Sequence, residues 1–255
     1  MRIAVCVKHV PDVQDERSLD PWTVRGEDDV LNELDEHAVE AAVALAEEAG
    51  GEVIALTMGP AGAVDAVRRA LQMGAASGVH VSDEALAGSD AIATAQVLAA
   101  AITKIGAEGD IDLVLTGMAS LDGLTAMLPT ALATRLGWPQ LTLASELTVE
   151  GGTATIRREI GEAVERFAAP LPAVVSVTDQ ANEPRYPNFR AIMAARRRKV
   201  ASWSLADLGL AAPASATTVT HAAPRPAREA GRIVEDSGDA GRQLAQYLID
   251  NKFHG

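Results

Sequence analysis

The residues best placed for chemistry are Gly117-Met118-Ala119-Ser120-Leu121-Asp122-Gly123-Leu124-Thr125, which follow an apolar run and open onto a helical pattern over 126–136. Backbone amides at a helix start lack partners and carry the positive end of the dipole, so this segment suits a phosphate. Pro129 fits a helix only near its first turn, which places the start between Thr125 and Leu128. Lys8-His9-Val10-Pro11-Asp12 and Met58-Gly59-Pro60-Ala61 follow apolar runs in the same way. The chain has neither a G-x-x-x-x-G-K-[ST] loop nor a GxGxxG fingerprint here, so ATP hydrolysis of the P-loop kind has no support. No Ser/His/Asp or Cys/His arrangement offers a hydrolytic nucleophile. His9, His37, His80, His221 and His254 share no ligand spacing, which argues against a metal site.

A second segment suits partner binding. Asn182-Glu183-Pro184-Arg185-Tyr186-Pro187-Asn188-Phe189-Arg190-Ala191-Ile192-Met193 runs into Arg196-Arg197-Arg198-Lys199. The two prolines fix their own φ and push the preceding residues toward extended geometry, so the loop begins partly ordered. Phe189 is its natural anchor, because buried aromatics dominate interface energetics. The alternative is an ordinary loop whose Phe189 and Ile192 enter the core. The basic cluster suits steering of acidic partners, or simply a favourable helix C-terminus.

These segments need a scaffold. Apolar strand runs at 3–7, 53–57, 79–81 and 113–116 alternate with helical runs at 35–49, 63–73 and 90–105, the pattern of a parallel sheet covered on both faces. Val39, Ala42, Val43 and Ala46 recur at i, i+3, i+4 and i+7 as a sheet-facing stripe. Asn32 or Asp35 is the expected cap of that helix. Ligands of such a sheet gather beyond the carboxyl ends of the strands, where all three loops fall. After Gly137, runs at 145–150, 153–158, 164–168 and 173–178 predict antiparallel additions, with Gly151-Gly152 as a hairpin turn. From Ala211 the texture becomes Pro/Ala/Ser/Thr-rich, including Ala222-Ala223-Pro224-Arg225-Pro226, and reads as an arm. A final helix over 239–251 carries Leu244, Tyr247, Leu248 and Ile249 on one side. The expected organisation is an α/β domain over 1–210, with a recognition loop at 182–199, and an arm plus helix over 211–255.

Composition narrows the class. Hydrophobic residues are 48% of the chain but aromatics only 3%, so the core is built from small aliphatics. A net charge of −13 argues against a nucleic-acid binder that works by phosphate neutralisation. Cys6 is alone, which excludes an internal disulfide, and it lies in the first strand pattern as a small buried residue. No window reaches 18 uninterrupted apolar residues and the N-terminus goes straight into a strand pattern, so the expectation is a cytoplasmic protein without membrane insertion.

Several quoted stretches fall in order along a known pattern. Cys6-Val7-Lys8-His9-Val10-Pro11-Asp12, Leu31-Asn32-Glu33-Leu34-Asp35-Glu36-His37-Ala38-Val39-Glu40, Leu56-Thr57-Met58-Gly59-Pro60 and Ala70-Leu71-Gln72-Met73-Gly74-Ala75 resemble landmarks of electron transfer flavoprotein β subunits. So do Gly117 through Gly123, Leu136-Gly137-Trp138-Pro139-Gln140, Arg158-Glu159-Ile160 and Leu171-Pro172-Ala173-Val174-Val175. The match covers residues 1 to about 208 and resumes in the last helix. It implies a Rossmann-like fold of the adenine nucleotide α-hydrolase-like type and a heterodimer with an α subunit that holds most of the FAD. It further implies a structural AMP on this subunit, docking of acyl-CoA and related dehydrogenases, and delivery of electrons to a quinone oxidoreductase. The AMP contacts map to Cys6, to Asn32, Glu33, Leu34 and Asp35, to Met58, and to Asp122, Gly123, Leu124, Thr125, Ala126, Met127, Leu128 and Thr130. The dehydrogenase-facing set maps to Tyr186, Phe189, Ile192, Met193, Arg196, Arg197, Arg198 and Lys199. Glu159 maps to a glutamate that holds the mobile FAD domain of the α subunit.

Three departures matter. Ala126 and Met127 replace the glycine and glutamine that many relatives carry in the phosphate loop, which restricts backbone approach and removes a side-chain amide. Val13 stands where some relatives place a tyrosine near the flavin. Gly161-Glu162-Ala163 differs from the commoner Asp-Gly-Gly. AMP is therefore expected over a second FAD, and flavin-based bifurcation is not. The alternative class is a stand-alone adenine-nucleotide regulator of the universal-stress type, which has no need of a Phe-tipped loop or an arm.

Overall fold

The first apolar run forms β1 (Arg2–Cys6), followed by a two-residue antiparallel pair, β2 (His9–Val10) and β3 (Val30–Leu31), and then α1 (Glu33–Ala49). The computed structural model describes residues 1–255 except 15–17, 20–22, 27, 224–225, 229–230, 232 and 254–255. His254 and the Pro224-Arg225 step of the arm lie outside the described residues. The chain continues through β4 (Glu52–Met58), α2 (Val64–Met73), β5 (Ser77–Val81), α3 (Ala91–Gly106), β6 (Leu113–Gly117) and α4 (Leu128–Leu136). A β-rich portion follows: β7 (Gln140–Glu150), β8 (Thr153–Ile160), β9 (Ala163–Pro170) and β10 (Ala173–Val177). The last elements are α5 (Phe189–Ala195), β11 (Val200–Trp203) and α6 (Ala240–Asp250).

Nine strands form one sheet in the order β11-β5-β4-β1-β6-β10-β7-β8-β9. The strands from β11 to β7 pair in parallel, and β7-β8-β9 pair antiparallel. The fold is therefore an α/β Rossmann-like sheet with antiparallel additions, as the alternation of runs indicated. The β7–β8 turn is made by Gly151 and Gly152 at φ 55° and 77°, the positive angles that a tight hairpin demands.

One sheet face packs Ile3, Val5, Leu113, Leu115 and Val175 against the small stripe Ala38, Val39, Ala42, Val43 and Ala46 of α1, with α2 alongside. The other face packs Ala4, Cys6, Leu56, Val114 and Val174 against α3 and α4. Aliphatic burial at about 25 cal/mol per Å² drives this assembly, and alanine lets the helices approach closely.

Two features had no clear sequence signal. β11 extends the sheet beside β5 through Val200↔Gly78 to Trp203↔Val81, yet Val-Ala-Ser-Trp is too short to stand out behind a basic cluster. The arm also separates later than composition suggests: the chain divides into 1–222 and 223–255. Asp90 explains the delay, because its Oδ2 accepts from the N–H groups of Ala216 and Thr217 at 2.7 and 2.9 Å. In the second unit, taken by itself, α6 leaves Leu244, Tyr247, Leu248 and Ile249 exposed along its apolar side.

Candidate functional site

The order of strands reverses around β1, with β4 on one side and β6 on the other, so the carboxyl edge of these three strands is the expected ligand crevice. Cys6, Asn32 to Asp35, Met58 and the loop before α4 all fall on this edge.

Asn32 is wholly buried and does not cap α1 with its side chain, contrary to expectation. Its Nδ2 donates to the Ala119 carbonyl at 3.0 Å and its Oδ1 accepts from the Leu121 N–H at 3.0 Å. It is thus a staple holding the loop after β6 onto the start of α1. Asp35 is not a cap either: it lies inside α1, buried, and accepts from the Lys8 N–H at 2.9 Å. Burial pushes its carboxyl up to about 7, opposed by hydrogen bonds from Lys8, Asn32 and Gly117 and by the Lys8 charge. Gly117 permits this closeness, since a Cβ there would meet Asp35 Oδ1 at 2.5 Å and the Leu34 carbonyl at 2.6 Å.

Asp122 holds the next layer. Its carboxylate accepts from Lys8 Nζ at 2.8 Å and faces Arg25 Nη2 at 3.5 Å. Burial opposes its ionisation, but Lys8, Ser120 and Arg25 outweigh that and keep it below the usual carboxylate range. Lys8 and Arg25 were absent from the sequence-predicted contacts; the signal for Lys8 was its position directly after the first strand.

Beyond Asp122 the backbone turns twice through left-handed geometry, at Leu124 (φ 49°) and Ala126 (φ 52°). Ala126 therefore keeps a conformation that favours glycine, at a cost of roughly 1 kcal/mol. Gly123 and Leu124 donate to the Ser120 carbonyl, while among the described residues the N–H groups of Thr125, Ala126 and Met127 have no intramolecular acceptor. They stand at the N-terminus of α4, with Pro129 in its first turn, and the side chains of Leu124, Thr125, Met127 and Thr130 are exposed. Met58 is half-buried at the end of β4, Glu33 is exposed, and Leu34 and Leu128 are half-buried. The Cys6 thiol is pushed up to about 12 by burial and by Asp35, which makes it an inert wall.

The second predicted site is displayed rather than buried. Tyr186 is 88% exposed and Phe189 78%, so Phe189 is not a core residue. Ile192 is half-buried and Met193 exposed on the same short helix, whose Asn188 Oδ1 accepts from the Ala191 N–H at 2.9 Å. The loop is fixed behind this tip. Arg185 donates from Nε and Nη2 to Glu40 at 2.8 and 3.0 Å, and from Nη1 and Nη2 to Glu47 at 2.8 and 3.1 Å. Asn182 Nδ2 donates to the His37 carbonyl at 2.9 Å, and the Arg69 guanidinium lies 5.5 Å over the Tyr186 ring. None of these pairings was legible in the sequence, because the partners lie between 117 and 145 positions apart.

Arg196, Arg197 and Lys199 are exposed, as a steering cluster requires. Arg198 is a correction: its Nη1 donates to the Leu71 carbonyl at 2.8 Å and to that of Ala75, satisfying the end of α2. Its role here is to tie the loop's exit to the C-terminal end of α2. Glu159 sits on β8, ion-paired with Arg157, next to Arg158, which lies 4.5 Å over the Phe167 ring. Among the described residues no group of three or more His, Cys, Asp or Glu is arranged to hold a metal ion. No helix among them is long and apolar enough to cross a membrane.

A Rossmann-like sheet with unpaired amides in the loop at its switch point and a fixed, aromatic-tipped loop on its surface defines the class of α/β fold to which the chain belongs. Residues 22–208 match the family model described as electron transfer flavoprotein domain. The chain is 41% identical to the electron transfer flavoprotein subunit beta of Mycobacterium tuberculosis over 264 residues, 98% of each chain. It is 34% identical to the protein of that name from Megasphaera elsdenii, over 98% of this chain and 97% of the relative. It is 36% identical, with the same coverage, to the caffeyl-CoA reductase-Etf complex subunit CarD of Acetobacterium woodii. The chain belongs to the electron transfer flavoprotein family, as a β subunit, and its function is electron transfer. The universal-stress alternative is set aside by these matches along the whole chain.

Proposed function

We propose that this chain pairs with an electron transfer flavoprotein α subunit and presents the complex to acyl-CoA-type dehydrogenases, passing electrons on to a quinone oxidoreductase. It acts in the cytoplasm, as a carrier subunit without acid, base or nucleophile of its own. FAD, held mainly by the α subunit, supplies the redox chemistry when bound, and this chain supplies orientation and docking. The arm over 211–255 and its α6 stripe serve the α subunit, and Glu159 on β8 helps to hold that subunit's flavin domain.

The loop before α4 fits the phosphate of AMP. Three unpaired amides, Thr125 to Met127, stand at a helix start, and the Asn32 staple fixes the beginning of their loop at Ala119 and Leu121. Cys6, Leu34, Asp35 and Met58 line the adjoining strand ends. Met127 offers no side-chain hydrogen bond, and Ala126 narrows the approach, so the mononucleotide is favoured over a second FAD.

The observation that carries the docking reading is Phe189, 78% exposed on a loop tied down by Arg185. A large apolar side chain held in water on an ordered loop loses little entropy on docking. The test is stopped-flow reduction of the heterodimer's flavin by an acyl-CoA dehydrogenase. Phe189→Ala should lower the second-order rate constant at least tenfold with flavin content unchanged, the size of an interface hot spot. An unchanged rate constant would remove the anchor role.

A further inference from the structure

The sheet face beneath α2 is aliphatic except along one row. Thr57 on β4, His80 on β5 and Ser202 on β11 are successive register partners, so their side chains share that face, with Ser82 two residues beyond His80. A cavity of about 350 Å³ opens there between α2 and the β5–β11 edge, lined by Ala61, Val64, Arg68, His80, Ser82 and Ser202, with Val200 below.

His80 is only 4% exposed, and its Nε2 lies 3.1 Å from the Gly59 carbonyl. A carbonyl only accepts, so Nε2 carries a proton, and in the neutral ring Nδ1 is then the nitrogen with the lone pair. Among the described residues Nδ1 has no partner, and neither do the hydroxyls of Ser82 and Ser202. The Thr57 hydroxyl beside His80 is buried and unpaired as well. Thr57 and His80 are thus buried with one unused polar atom each, and the Ser82 and Ser202 hydroxyls line the same opening nearer the surface. Arg68 stands at the rim, exposed and paired with Asp65 at 3.0 Å, and the first turn leading into α2 brings Ala61 to the same wall.

We propose that this cavity is a binding site for a phosphate-class oxyanion, inorganic phosphate or a phosphate monoester, on the flank of the sheet rather than at the nucleotide edge. The chemistry matches on each side. A protonated P–OH donates to Nδ1 of His80, the anionic oxygens accept from Ser82 and Ser202, and Arg68 supplies charge from the rim. Val64 and Val200 form the apolar walls.

The test uses the full chain, alone and in its heterodimer, with ring-labelled histidine. His80 is assigned through His80→Asn and followed by NMR during titration with inorganic phosphate, with glycerol phosphate, and with sodium chloride at matched ionic strength. Ser82→Ala/Ser202→Ala, both near the surface, provides the second variant in case His80→Asn misfolds. The expected result is a saturable shift of the His80 resonance with either phosphate and not with chloride, with the affinity weakened about tenfold in the double serine variant. The stronger of the two titrants identifies the source. No shift with either phosphate, a shift equalled by chloride, or one undiminished in the double serine variant would overturn the site.

Discussion

Arg185 and Glu40 are joined by two parallel hydrogen bonds, at 2.8 and 3.0 Å, and the Arg185 backbone N–H adds a third to the same carboxylate at 3.0 Å. Glu47 completes the fork from further along α1, and the two carboxylates hold the guanidinium well above its already high ordinary range. A planar fork on two carboxylates is the geometry that arginine provides and lysine does not.

The first expected outcome concerns this fork. Arg185→Lys keeps the charge but loses the paired geometry, so the loop gains freedom and each docking event must reorder it. The rate constant for flavin reduction by the dehydrogenase should fall about three- to tenfold, with the melting temperature within a few degrees of the parent. Glu40→Gln should act in the same direction. Equal rates in parent and variants, measured by stopped flow at fixed salt, would mean that the loop's order is independent of the fork.

Ala126 offers the second. It occupies left-handed backbone at φ 52°, so Ala126→Gly should stabilise the protein by up to about 0.5 kcal/mol, the part of the strain left after glycine's extra unfolded-state entropy. Denaturant unfolding reads this directly, and AMP retained through purification should rise with it. A destabilised variant would show that the loop is relaxed as it stands.

Asp35 gives the third, through pH. Its folded-state carboxyl is raised from 3.8 to about 7, so between about pH 4 and 7 the native state keeps a proton that the unfolded chain releases. Stability from this group therefore falls as pH rises through that window and is level above it. Asp35→Asn lacks the slope. Its stability relative to the parent should improve between pH 4.5 and pH 8 by a few kcal/mol, because each tenfold difference in proton affinity between folded and unfolded chain is worth about 1.4 kcal/mol. Comparing the two proteins cancels Asp122, whose lowered carboxyl has the opposite sign. Parallel stability curves would refute the buried-acid account.

Much of this was legible in the sequence, and the rest was hidden for identifiable reasons. Val39, Ala42, Val43 and Ala46 announced a sheet-facing helix because helical periodicity is local, and all four are buried. The strand-end loops announced which segments share one edge of the sheet, because topology puts them there. Phe189 stood out because two prolines flank its approach. What local pattern does not encode is long-range polar pairing. Asn32 and Asp35 both looked like caps, yet the acceptor and donor of Asn32 lie on the 119–121 loop and Asp35 accepts from the Lys8 N–H. Arg198 read as part of a steering cluster until the α2 carbonyls claimed it. Arg185 was unremarkable in sequence because its value depends on two glutamates that only the fold brings near.

The most direct test of the central claim is co-expression with the α subunit, purification through a tag on this chain, a visible spectrum and chromatography of the released nucleotides. The expected product is a yellow heterodimer with one FAD and at most one AMP. A colourless chain that purifies alone would contradict the account, and two FAD per heterodimer would contradict the assignment of AMP to the Asp122–Thr130 loop.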